Sequence, residues 1–582
     1  MNQLSNLTVD TRNVLSLLSD PKNSFLIPDY QRPYAWTRDE CETLWEDLQA
    51  FCFPNDNLDE FNIGEEYFLG PIVTFENERK QLEIIDGQQR LTTLMLLLRA
   101  FKPRFEGSQD AKTRSTKERI ESCIWKQDEY GTIDSEQLKI DSEVASDNDK
   151  DEFIQILTSG VVTPEMNSKY AINYRFFLEC IQEFSDKYPS YIADFPTRIM
   201  NSVILLPIEA DSQDTALRIF STLNDRGLPL SDADIFKSQM YKYFSNIGKK
   251  DEFIKRWKDL EDDCNSVFSS ARSNPTDELF TRYMYYERAK QGNKKSTTEA
   301  LRNFFEKDNY ALLKKEETLC ILEALLDFWK KINQQDSEYF SERNLKRLFV
   351  LKYAPNGMWS NLLSVYFIHN RDENNNLDEE QLFNFLSRIT VFIWAYAIER
   401  PGVNALRTPV YTELINLVNG QDITFENFKF DKESVVNGFM NYKFTNGRPL
   451  TKSMLAWWAY NDESQPLLGL DEKFDIEHIY AKRRSVKDGN ISEKSLESLG
   501  NKVFLEKRIN ISASDYRFAD KKRYYSGEFS KASSRDKKPT EIVELHRLSS
   551  THDDFTEEDI IQRKQLMIDT FIDQLDKMNL LK

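Results

Sequence analysis

The sequence predicts an α+β protein that is predominantly helical. Strand and helix patterns alternate over the first hundred residues, from the apolar run Phe25–Ile27 to a helix at Leu91–Phe101. From about Glu252 to Tyr460 the apolar residues recur at helical spacing. Near the carboxyl end, Phe474–Tyr480 alternates apolar and polar side chains as a strand does. These patterns divide the chain into three regions. Residues 1–245 form a mixed domain with a helical insertion, residues 246–400 form a helical middle region, and residues 401–582 form a second helical domain that contains the short strand.

The size and composition of the chain limit its class. Its 582 residues exceed what one hydrophobic core normally supports, so several domains are expected. The longest strongly apolar stretch, Leu94–Leu98 with its flanks, is far shorter than the roughly 18 to 20 residues that cross a bilayer, and the chain does not start with a secretion signal. The six cysteines include no C-x-x-C pair, so we expect neither a zinc cluster nor a disulfide framework. We therefore expect a cytoplasmic protein with no membrane partner.

The charge is unevenly distributed along the chain. A formal net charge of -19 argues against a protein that coats nucleic acid indiscriminately. Between Ala481 and Thr540, however, 16 Lys and Arg stand against 8 Asp and Glu, a local balance of +8. On charge alone, a solvated basic surface and a DNA-binding track explain this segment equally well.

The amino-terminal region contains a strand, turn and helix that form a natural anion site. The strand Gln81–Ile85 breaks at Asp86-Gly87 before the helix begins, and the first N–H groups of a helix lack partners. Phosphate oxygens could accept those N–H groups and the guanidinium of Arg90, while Asp86 could hold a metal ion or a nucleophilic water. The Walker pattern is absent from the sequence, which excludes an ordinary P-loop.

Other elements of this region follow from local patterns. Thr37 and Glu40 form a capping box before a helix at Cys41–Phe51, and Ser231 and Asp234 cap another helix. The remaining predictions are strands at Tyr67–Phe75 and Val203–Pro207, a loop at Gly107–Lys117, and a helix at Asp214–Leu223 that ends in the polar turn Asn224–Gly227.

A second group of polar residues lies near the carboxyl end. The strand-like segment Phe474–Tyr480 carries Glu477 beside His478. Neighbouring side chains of a regular strand point to opposite faces, but at a distorted strand end both could reach one site. There the carboxylate would supply a metal ligand and the imidazole a proton acceptor. Asn501, Asn510 and a basic stretch follow in order.

This ordered set resembles the HNH, or ββα-metal, nuclease family over roughly Phe474–Tyr525. The resemblance implies that His478 is the general base and that Asn501 completes the catalytic pair by holding the histidine loop. It further implies that Glu477 and Asn510 bind Mg²⁺ or Mn²⁺. A structural hairpin or a decayed site is the alternative. The residues assigned to DNA binding are Lys521, Lys522 and Arg523.

Three further motifs extend the resemblance to nearly the whole chain. LIPDYQRPYAW (Leu26–Trp36), DGQQR (Asp86–Arg90) and FSTLNDRGLPLSDADIFK (Phe220–Lys237) resemble the GmrSD-type modification-dependent restriction enzymes and the SspE-like phosphorothioate-sensing anti-phage nucleases. The resemblance implies a ParB/sulfiredoxin-like domain in residues 1–245 that binds and hydrolyses GTP or ATP, with Asp86 and Arg90 catalytic. The implied nucleotide-binding residues are Gln31, Arg32, Asp86, Gly87, Gln88, Gln89, Arg90, Asn224 and Arg226.

The aromatic cluster in the first of these motifs has two interpretations. Tyr30, Pro33, Tyr34 and Trp36 could pack in the core, as clustered rings usually do. Alternatively, Tyr30, Pro33 and Tyr34 could form a pocket that senses modified DNA, by accepting a sulfur atom or by stacking on an altered base.

Together, these resemblances imply an anti-phage DNA endonuclease, or nickase, that hydrolyses a nucleoside triphosphate and senses DNA modification. The expected partners are double-stranded DNA, in modified host or phage form, and the nucleotide. A homo-oligomer and a partnership with a DNA-modification system stay open. Two alternatives remain: a DNase of the same architecture that ignores modification, and a nucleotide-dependent DNA-binding switch with a decayed nuclease site.

Overall fold

The structure is a computed structural model that forms two compact units, Met1–Asp259 and Leu260–Lys582. The predicted domain boundary at residue 245 lies before the end of the first unit, and the predicted boundary at residue 400 lies inside the second. The predicted fold class is confirmed, because helices dominate and a mixed sheet accompanies them. The described residues are 8–9, 11–53, 65–128, 130–144, 149–213, 215–216, 219, 231–269, 274–294, 299–399, 406–488, 491–528 and 538–582.

A mixed sheet forms the centre of the first unit. Its described strands are β1 (Thr8–Val9), β2 (Arg12–Asn13), β3 (Phe25–Ile27), β4 (Tyr67–Glu76), β5 (Leu82–Asp86), β8 (Ile140–Ser142) and β9 (Val203–Ala210), while β6 (Trp125–Gln127) and β7 (Ile133–Leu138) form a separate pair. The order is β1-β9-β4-β5-β3-β8, with β2 also paired to β9. β5 runs antiparallel to β4 and parallel to β3, so the turn after β5 emerges in the middle of the sheet.

Helices cover this sheet. They are α1 (Val14–Leu18), α2 (Arg38–Cys52), α3 (Gln88–Phe101), α4 (Ala111–Ile124), α5 (Lys150–Ser159), α6 (Lys169–Lys187), α7 (Asp194–Ser202), α8 (Asp232–Asn246) and α9 (Lys250–Val267), of which α9 continues into the second unit. Every residue of α3 except Arg90 is buried. A helix that is buried on all sides is a core element, so the start of α3 is held rigidly by its surroundings.

The local predictions for this unit mostly hold. Both capping boxes, at Thr37 and Ser231, are confirmed. The predicted loop at Gly107–Lys117 is wrong, because α4 begins at Ala111: the carboxylate of Asp110 accepts the N–H of Thr113 (2.9 Å) and caps it. The inserted segment also contains β6, β7 and β8 and is therefore not purely helical. The predicted helix at 214–223 falls largely outside the described residues, as do Asn224 and Arg226.

The second unit is helical and carries one strand pair. Its helices after α9 are α10 (Pro275–Lys290), α11 (Leu301–Tyr310), α12 (Glu316–Gln334), α13 (Glu342–Lys352), α14 (Met358–Asn370), α15 (Glu379–Glu399), α16 (Arg407–Val418), α17 (Lys432–Asn441), α18 (Pro449–Ala459), α19 (Lys482–Asp488), α20 (Glu493–Leu496), α21 (Lys507–Ala513), α22 (Phe518–Tyr525), α23 (Val543–Thr551) and α24 (Glu557–Lys577). Among the described helices, α15 alone has the length and apolar composition of a membrane span, and 72% of its apolar window is buried inside the protein.

The strand pair joins β10 (Phe474–His478) to β11 (Lys502–Glu506) in antiparallel register. Phe474 and Phe504 stack at 4.4 Å on one face of this hairpin, and Phe349 of α13 meets both rings edge-on. α21 follows β11 directly. The hairpin is therefore anchored by aromatic packing at the end opposite to Glu477 and His478.

Candidate active sites

The turn between β5 and α3 forms the amino-terminal site. Gly87 caps α3 in the left-handed region (φ 96°), where a side chain would be strained and a Cβ would press on Ile72. Asp86 and Arg90 form an ion pair of 3.0 Å across this turn, and each side chain is 19% exposed. Burial raises the pKa of Asp86, and the positive charge of Arg90 opposes that rise. The pair is therefore accessible at one edge of an otherwise closed turn.

Two guanidinium groups surround the Asp86 carboxylate. Arg32 acts on it electrostatically as well, although less strongly than Arg90. The Nε atom of Arg32 is buried and has no hydrogen-bond partner in the described part of the chain. Gly70 lies against Arg90, and a Cβ at Gly70 would overlap Nη1 of that arginine. Two positive groups against one carboxylate, next to the start of a helix, leave a net attraction for an anion.

The three glutamines predicted to bind nucleotide, Gln31, Gln88 and Gln89, form hydrogen bonds within the protein instead. Gln89 accepts the N–H of Ala35 (2.7 Å) and donates to the carbonyl of Pro33 (3.3 Å). Gln88 donates to the carbonyl of Arg32 (3.2 Å), and Gln31 donates to that of Ile85 (3.2 Å). All three side chains are buried. We therefore revise their predicted role from direct nucleotide contacts to bonds that fix segment 31–36 onto the start of α3.

The two tyrosines proposed as a sensor are also interior. Tyr34 is 7% exposed, stacks on Tyr170 at 4.8 Å and bonds through its hydroxyl to Thr93 (2.7 Å). Tyr30 is 6% exposed and donates to Glu83 (3.3 Å). Buried rings with satisfied hydroxyls cannot stack on a DNA base without unfolding their surroundings. The core interpretation of Tyr30 and Tyr34 is therefore the better one, and Pro33, which is half-buried between them, loses its basis as a sensor.

In the carboxyl-terminal site, Asn501 fixes the loop that follows His478. Its Oδ1 accepts the N–H of Tyr480 (2.7 Å), and its Nδ2 donates to the carbonyls of Tyr480 (3.1 Å) and Leu496 (3.0 Å). Asn501 is completely buried, so these bonds do not compete with water. Its contacts are those predicted for a residue that holds the histidine loop.

Glu477 and His478 contact different neighbours. The expectation that a distorted strand end lets both side chains reach one site is wrong, because the antiparallel register is regular through the pair His478 and Lys502. In a regular strand the two side chains point to opposite faces. Glu477 is buried, and it receives the ammonium group of Lys521, which also donates to the carbonyl of His478 (2.6 Å). Burial raises the pKa of Glu477, and the charge of Lys521 opposes that rise.

Lys521 therefore does not belong to a DNA-binding surface, because it is 1% exposed and pairs with Glu477 inside the protein. The other two predicted DNA contacts remain nearer to the solvent. Lys522 is half-buried and donates to the carbonyl of His552 (2.7 Å), and Arg523 is exposed. The prediction of a three-residue basic contact is thus reduced to Lys522 and Arg523.

A charged network that the sequence analysis missed surrounds His478. Nε2 of His478 lies 3.7 Å from the carboxylate of Glu497. Glu497 also pairs with Lys482 and, at 2.7 Å, with the fully buried Lys502. Burial acts to raise the pKa of Glu497, but hydrogen bonds from Lys482 and Lys502 outweigh this effect and lower the pKa to about 2. No pattern marks Glu497 in the sequence, since it lies in an ordinary helical stretch of mixed charge.

The environment keeps His478 neutral. Burial, followed by the charge of Lys502, lowers its pKa to about 4. Nε2 is buried and has no hydrogen-bond partner among the residues that the structure describes. A neutral imidazole with an unengaged nitrogen can accept a proton at physiological pH.

By chemical type alone, Glu477 and Asn510 offer the oxygen ligands that a hard divalent cation prefers. Glu477 offers carboxylate oxygens, and Asn510, half-buried on α21, offers an amide oxygen. The Glu477 carboxylate already holds the cationic group of Lys521, so a metal ion would have to displace it. Within the described ranges, no three His, Cys, Asp or Glu side chains converge as an all-protein metal cluster.

A buried ion pair supports the turn that carries Asn501. Arg563 of α24 bonds to both carboxylate oxygens of Glu544 (2.7 and 2.8 Å), and its Nη1 donates to the carbonyls of Gly500 (2.9 Å) and Lys502 (2.8 Å). Gly500 lies so close to α24 that a Cβ would overlap the carbonyl oxygen of Ile560. The glycine before Asn501 is thus required by close packing.

Comparisons with known proteins match two separate regions of the chain to two domains of one family. The family model described as "GmrSD restriction endonuclease, N-terminal domain" matches residues 14–241, and the model "GmrSD restriction endonucleases, C-terminal domain" matches residues 431–570. Together they cover more than half of the chain. An uncharacterised protein of Methanocaldococcus jannaschii is 24% identical over 261 residues, which are 41% of this chain and 43% of that relative. The matched region thus spans less than half the length of that curated relative.

Proposed function

Because the chain belongs to the GmrSD restriction endonuclease family, we propose that it is a DNA endonuclease of anti-phage defence whose nuclease site lies on the hairpin β10–β11. The observation that carries the proposal is the state of His478. This imidazole is neutral and has an unengaged Nε2, and the loop that follows it is fixed by Asn501. A general base must be neutral and must have a free acceptor nitrogen, and His478 meets both conditions, while its lowered pKa makes it a weaker base than free imidazole.

In the proposed mechanism, His478 accepts a proton at Nε2 from the water that attacks a DNA phosphate. Glu497, at 3.7 Å, lies on the side where the imidazolium charge would develop and would stabilise it. Glu477 and Asn510 would hold Mg²⁺ or Mn²⁺ once the metal ion displaces Lys521 from the Glu477 carboxylate, and the bound ion would stabilise negative charge on the phosphate and the leaving oxygen. Asn501 does not contact substrate in this scheme, since it positions the loop. Lys522 and Arg523 would contact the DNA backbone.

The proposed second activity is hydrolysis of GTP or ATP at the start of α3. Arg32 and Arg90 would bind phosphate oxygens, and the first N–H groups of α3 would add to that binding. Asp86 would orient the attacking water or a metal ion. The support for this site is the DGQQR motif together with the excess positive charge around Asp86.

The proposed function includes the sensing of a DNA modification, a phosphorothioate or a modified base. Tyr30, Pro33 and Tyr34 are no longer part of this proposal, because burial and internal hydrogen bonds remove the two rings from contact with DNA. We also propose that the protein acts in the cytoplasm alongside a DNA-modification system.

The experiment that tests the nuclease is the variant His478→Ala with a supercoiled plasmid, Mg²⁺ and a triphosphate. We expect plasmid nicking to fall to background while triphosphate hydrolysis continues, since the base acts only at the DNA site. The matched control is His552→Ala, which changes a half-buried histidine on the neighbouring loop and should nick normally. Nicking by His478→Ala at the parental rate would remove His478 from the role of base.

One observation favours the alternative of a DNA-binding switch without nuclease activity. The buried Glu477 carboxylate is paired with the ammonium group of Lys521, and a buried ion pair of this kind can serve a purely structural role. The alternative predicts no nicking at any Mg²⁺ or Mn²⁺ concentration, together with DNA binding that depends on the triphosphate.

A further inference from the structure

The turn between α21 and α22 lies at the rim of the nuclease hairpin. α21 follows β11 directly and contacts β10, and Lys521 of α22 reaches Glu477 and the carbonyl of His478. Burial is the main reason that the pKa of Glu477 is raised, and the charge of Asp515, in the turn itself, adds to the rise. Side chains exposed on this turn therefore border the site at which the proposed nuclease would hold DNA.

Tyr516, in the same turn, presents an aromatic face to the solvent. Its ring stacks on that of Tyr524 of α22, with centroids 5.7 Å apart and planes only 9° from parallel. Tyr516 is nevertheless 48% exposed. A ring that is covered on one side by another ring and is still half-exposed has its second face open. The open face of Tyr516 is therefore a surface on which a further flat ring can stack.

The outer face of α21 continues this surface. Positions 507, 510, 511 and 514 recur at helical spacing, so Lys507, Asn510 and Ile511 share one side of the helix. Ile511 is 68% exposed, Lys507 is exposed, and Asn510 is half-buried. Because Asn510 is a proposed metal ligand, DNA whose phosphate is held there would lie over the face that carries Ile511.

The charge of this surface suits a nucleic acid. In a chain whose net charge is -19, five basic side chains of residues 507–528 are at least partly exposed, against three acidic ones. Arg517 follows Tyr516 in the sequence, and Arg523 precedes Tyr524. Rings flanked by cations match DNA, which offers flat bases and phosphates together. The basic residues are Lys507, Arg508, Arg517, Lys522 and Arg523, and the acidic ones are Asp515, Asp520 and Glu528.

We propose that Tyr516 and Tyr524, with Ile511 beside them, form a platform on which duplex DNA docks at the nuclease site. The open face of Tyr516 stacks on a base that leaves the helical stack, and Ile511 packs against the groove next to it. Arg517 and Arg523 contact the flanking phosphates. The role of the platform in cleavage rests on the proposed nuclease function, whereas the docking of DNA on it does not require cleavage.

Fluorescence anisotropy of a labelled duplex with the full chain measures this docking. The variant His478→Ala serves as the parent, with Mg²⁺ present, so that the duplex stays intact. We expect Tyr516→Ala to weaken binding about tenfold, because it removes one stacked ring, whereas Tyr516→Phe keeps the ring and should bind like the parent. The matched control is Tyr130→Ala, which removes an 87% exposed ring of the first unit and should not alter binding.

A duplex that carries 5-iodouracil in a single mismatch tests the contact itself. A mismatched base leaves the stack at a lower cost than a paired one, so the parent should bind the mismatched duplex more tightly than the paired duplex. Tyr516→Ala should lose this difference, and Tyr516→Phe should keep it. Irradiation should cross-link the iodouracil to Tyr516, and mass spectrometry locates the cross-link in a protein whose platform is unaltered.

The outcomes separate this inference from the proposed function. Equal affinities of Tyr516→Ala and Tyr130→Ala for the duplex, or a cross-link that lies outside the platform, overturns the inference even where His478-dependent nicking is present. The cross-link decides the question if Tyr516→Ala fails to fold, since it needs no change to the ring. Docking through Tyr516 without His478-dependent nicking would instead refute the nuclease and support the platform.

Discussion

Replacing Asn501 by Asp changes the hydrogen-bonding character of one atom, Nδ2, and almost no volume. The Nδ2 group that donates to the carbonyls of Tyr480 and Leu496 becomes an oxygen that faces them. Two lost bonds cost about 1 kcal/mol each, and a buried carboxylate oxygen that faces two carbonyls without a donor adds about 1 to 3 kcal/mol. We therefore expect Asn501→Asp to lower the free energy of unfolding by about 3 to 5 kcal/mol, and to abolish nicking at temperatures where the rest of the protein is folded.

Urea denaturation followed by tryptophan fluorescence measures the stability, and plasmid nicking measures the activity. The control is Asn510→Asp, the same change on a half-buried residue of α21, which should leave stability within about 0.5 kcal/mol. If Asn501→Asp unfolds at the parental urea concentration, the loop bonds do not carry the stability assigned to them. Normal nicking by a destabilised Asn501→Asp variant would show that the histidine loop does not need this anchor.

Three further predictions concern other contacts. Gly70→Ala should abolish triphosphate hydrolysis, because the added Cβ would displace Arg90. The control Gly107→Ala changes a glycine that also has a positive φ but has open space around it, and it should hydrolyse normally. Equal hydrolysis rates in the two variants would contradict the close packing of Gly70 against Arg90. Arg563→Met should lower the free energy of unfolding by about 3 to 5 kcal/mol, because it leaves Glu544 buried, while loss of the exposed pair in Arg547→Met should cost under about 1 kcal/mol. His478, whose pKa burial lowers from 6.5 to about 4, stays neutral in the fold but protonates in the unfolded chain. Its contribution to stability is full above pH 6.5 and is lost as pH falls toward 4, by about 3 kcal/mol, and a urea titration of His478→Gln should lack this loss.

The sequence predicted the elements whose signal is local. Periodicity and capping residues located the strands Phe25–Ile27 and Phe474–His478 and the helix after Thr37, because alternation and caps are properties of neighbouring residues. The prediction failed at α4, where a polar surface hides a narrow buried face formed late in the helix by Ile120 and Ile124. A prediction from short stretches of sequence therefore detects only the polar start of such a helix.

The candidate sites divide in the same way. Motif order predicted His478 and Asn501 as site residues, but it could not show that Lys521 lies inside the protein, since a lysine's partner is set by tertiary packing. The same limit applies to the glutamines of DGQQR, which look like ligand contacts and in fact bond to backbone groups of segment 31–36. The roles of Glu497 and Arg563 could not be predicted, because single charged residues in helical stretches form no sequence pattern.

The contact of α24 with the turn at Gly500 gives the last helix of the chain an unexpected importance. Arg563 contributes no chemistry, yet it holds three carbonyls of the turn from which Asn501 reaches the histidine loop. A chain cut before Glu557 would retain every proposed metal ligand and the general base, but it would lose Arg563 and its hydrogen bonds to the turn at Gly500. Proteolysis in that segment would therefore switch off the proposed nuclease without touching its active-site residues, and tags fused to the carboxyl terminus need to leave α24 free to pack.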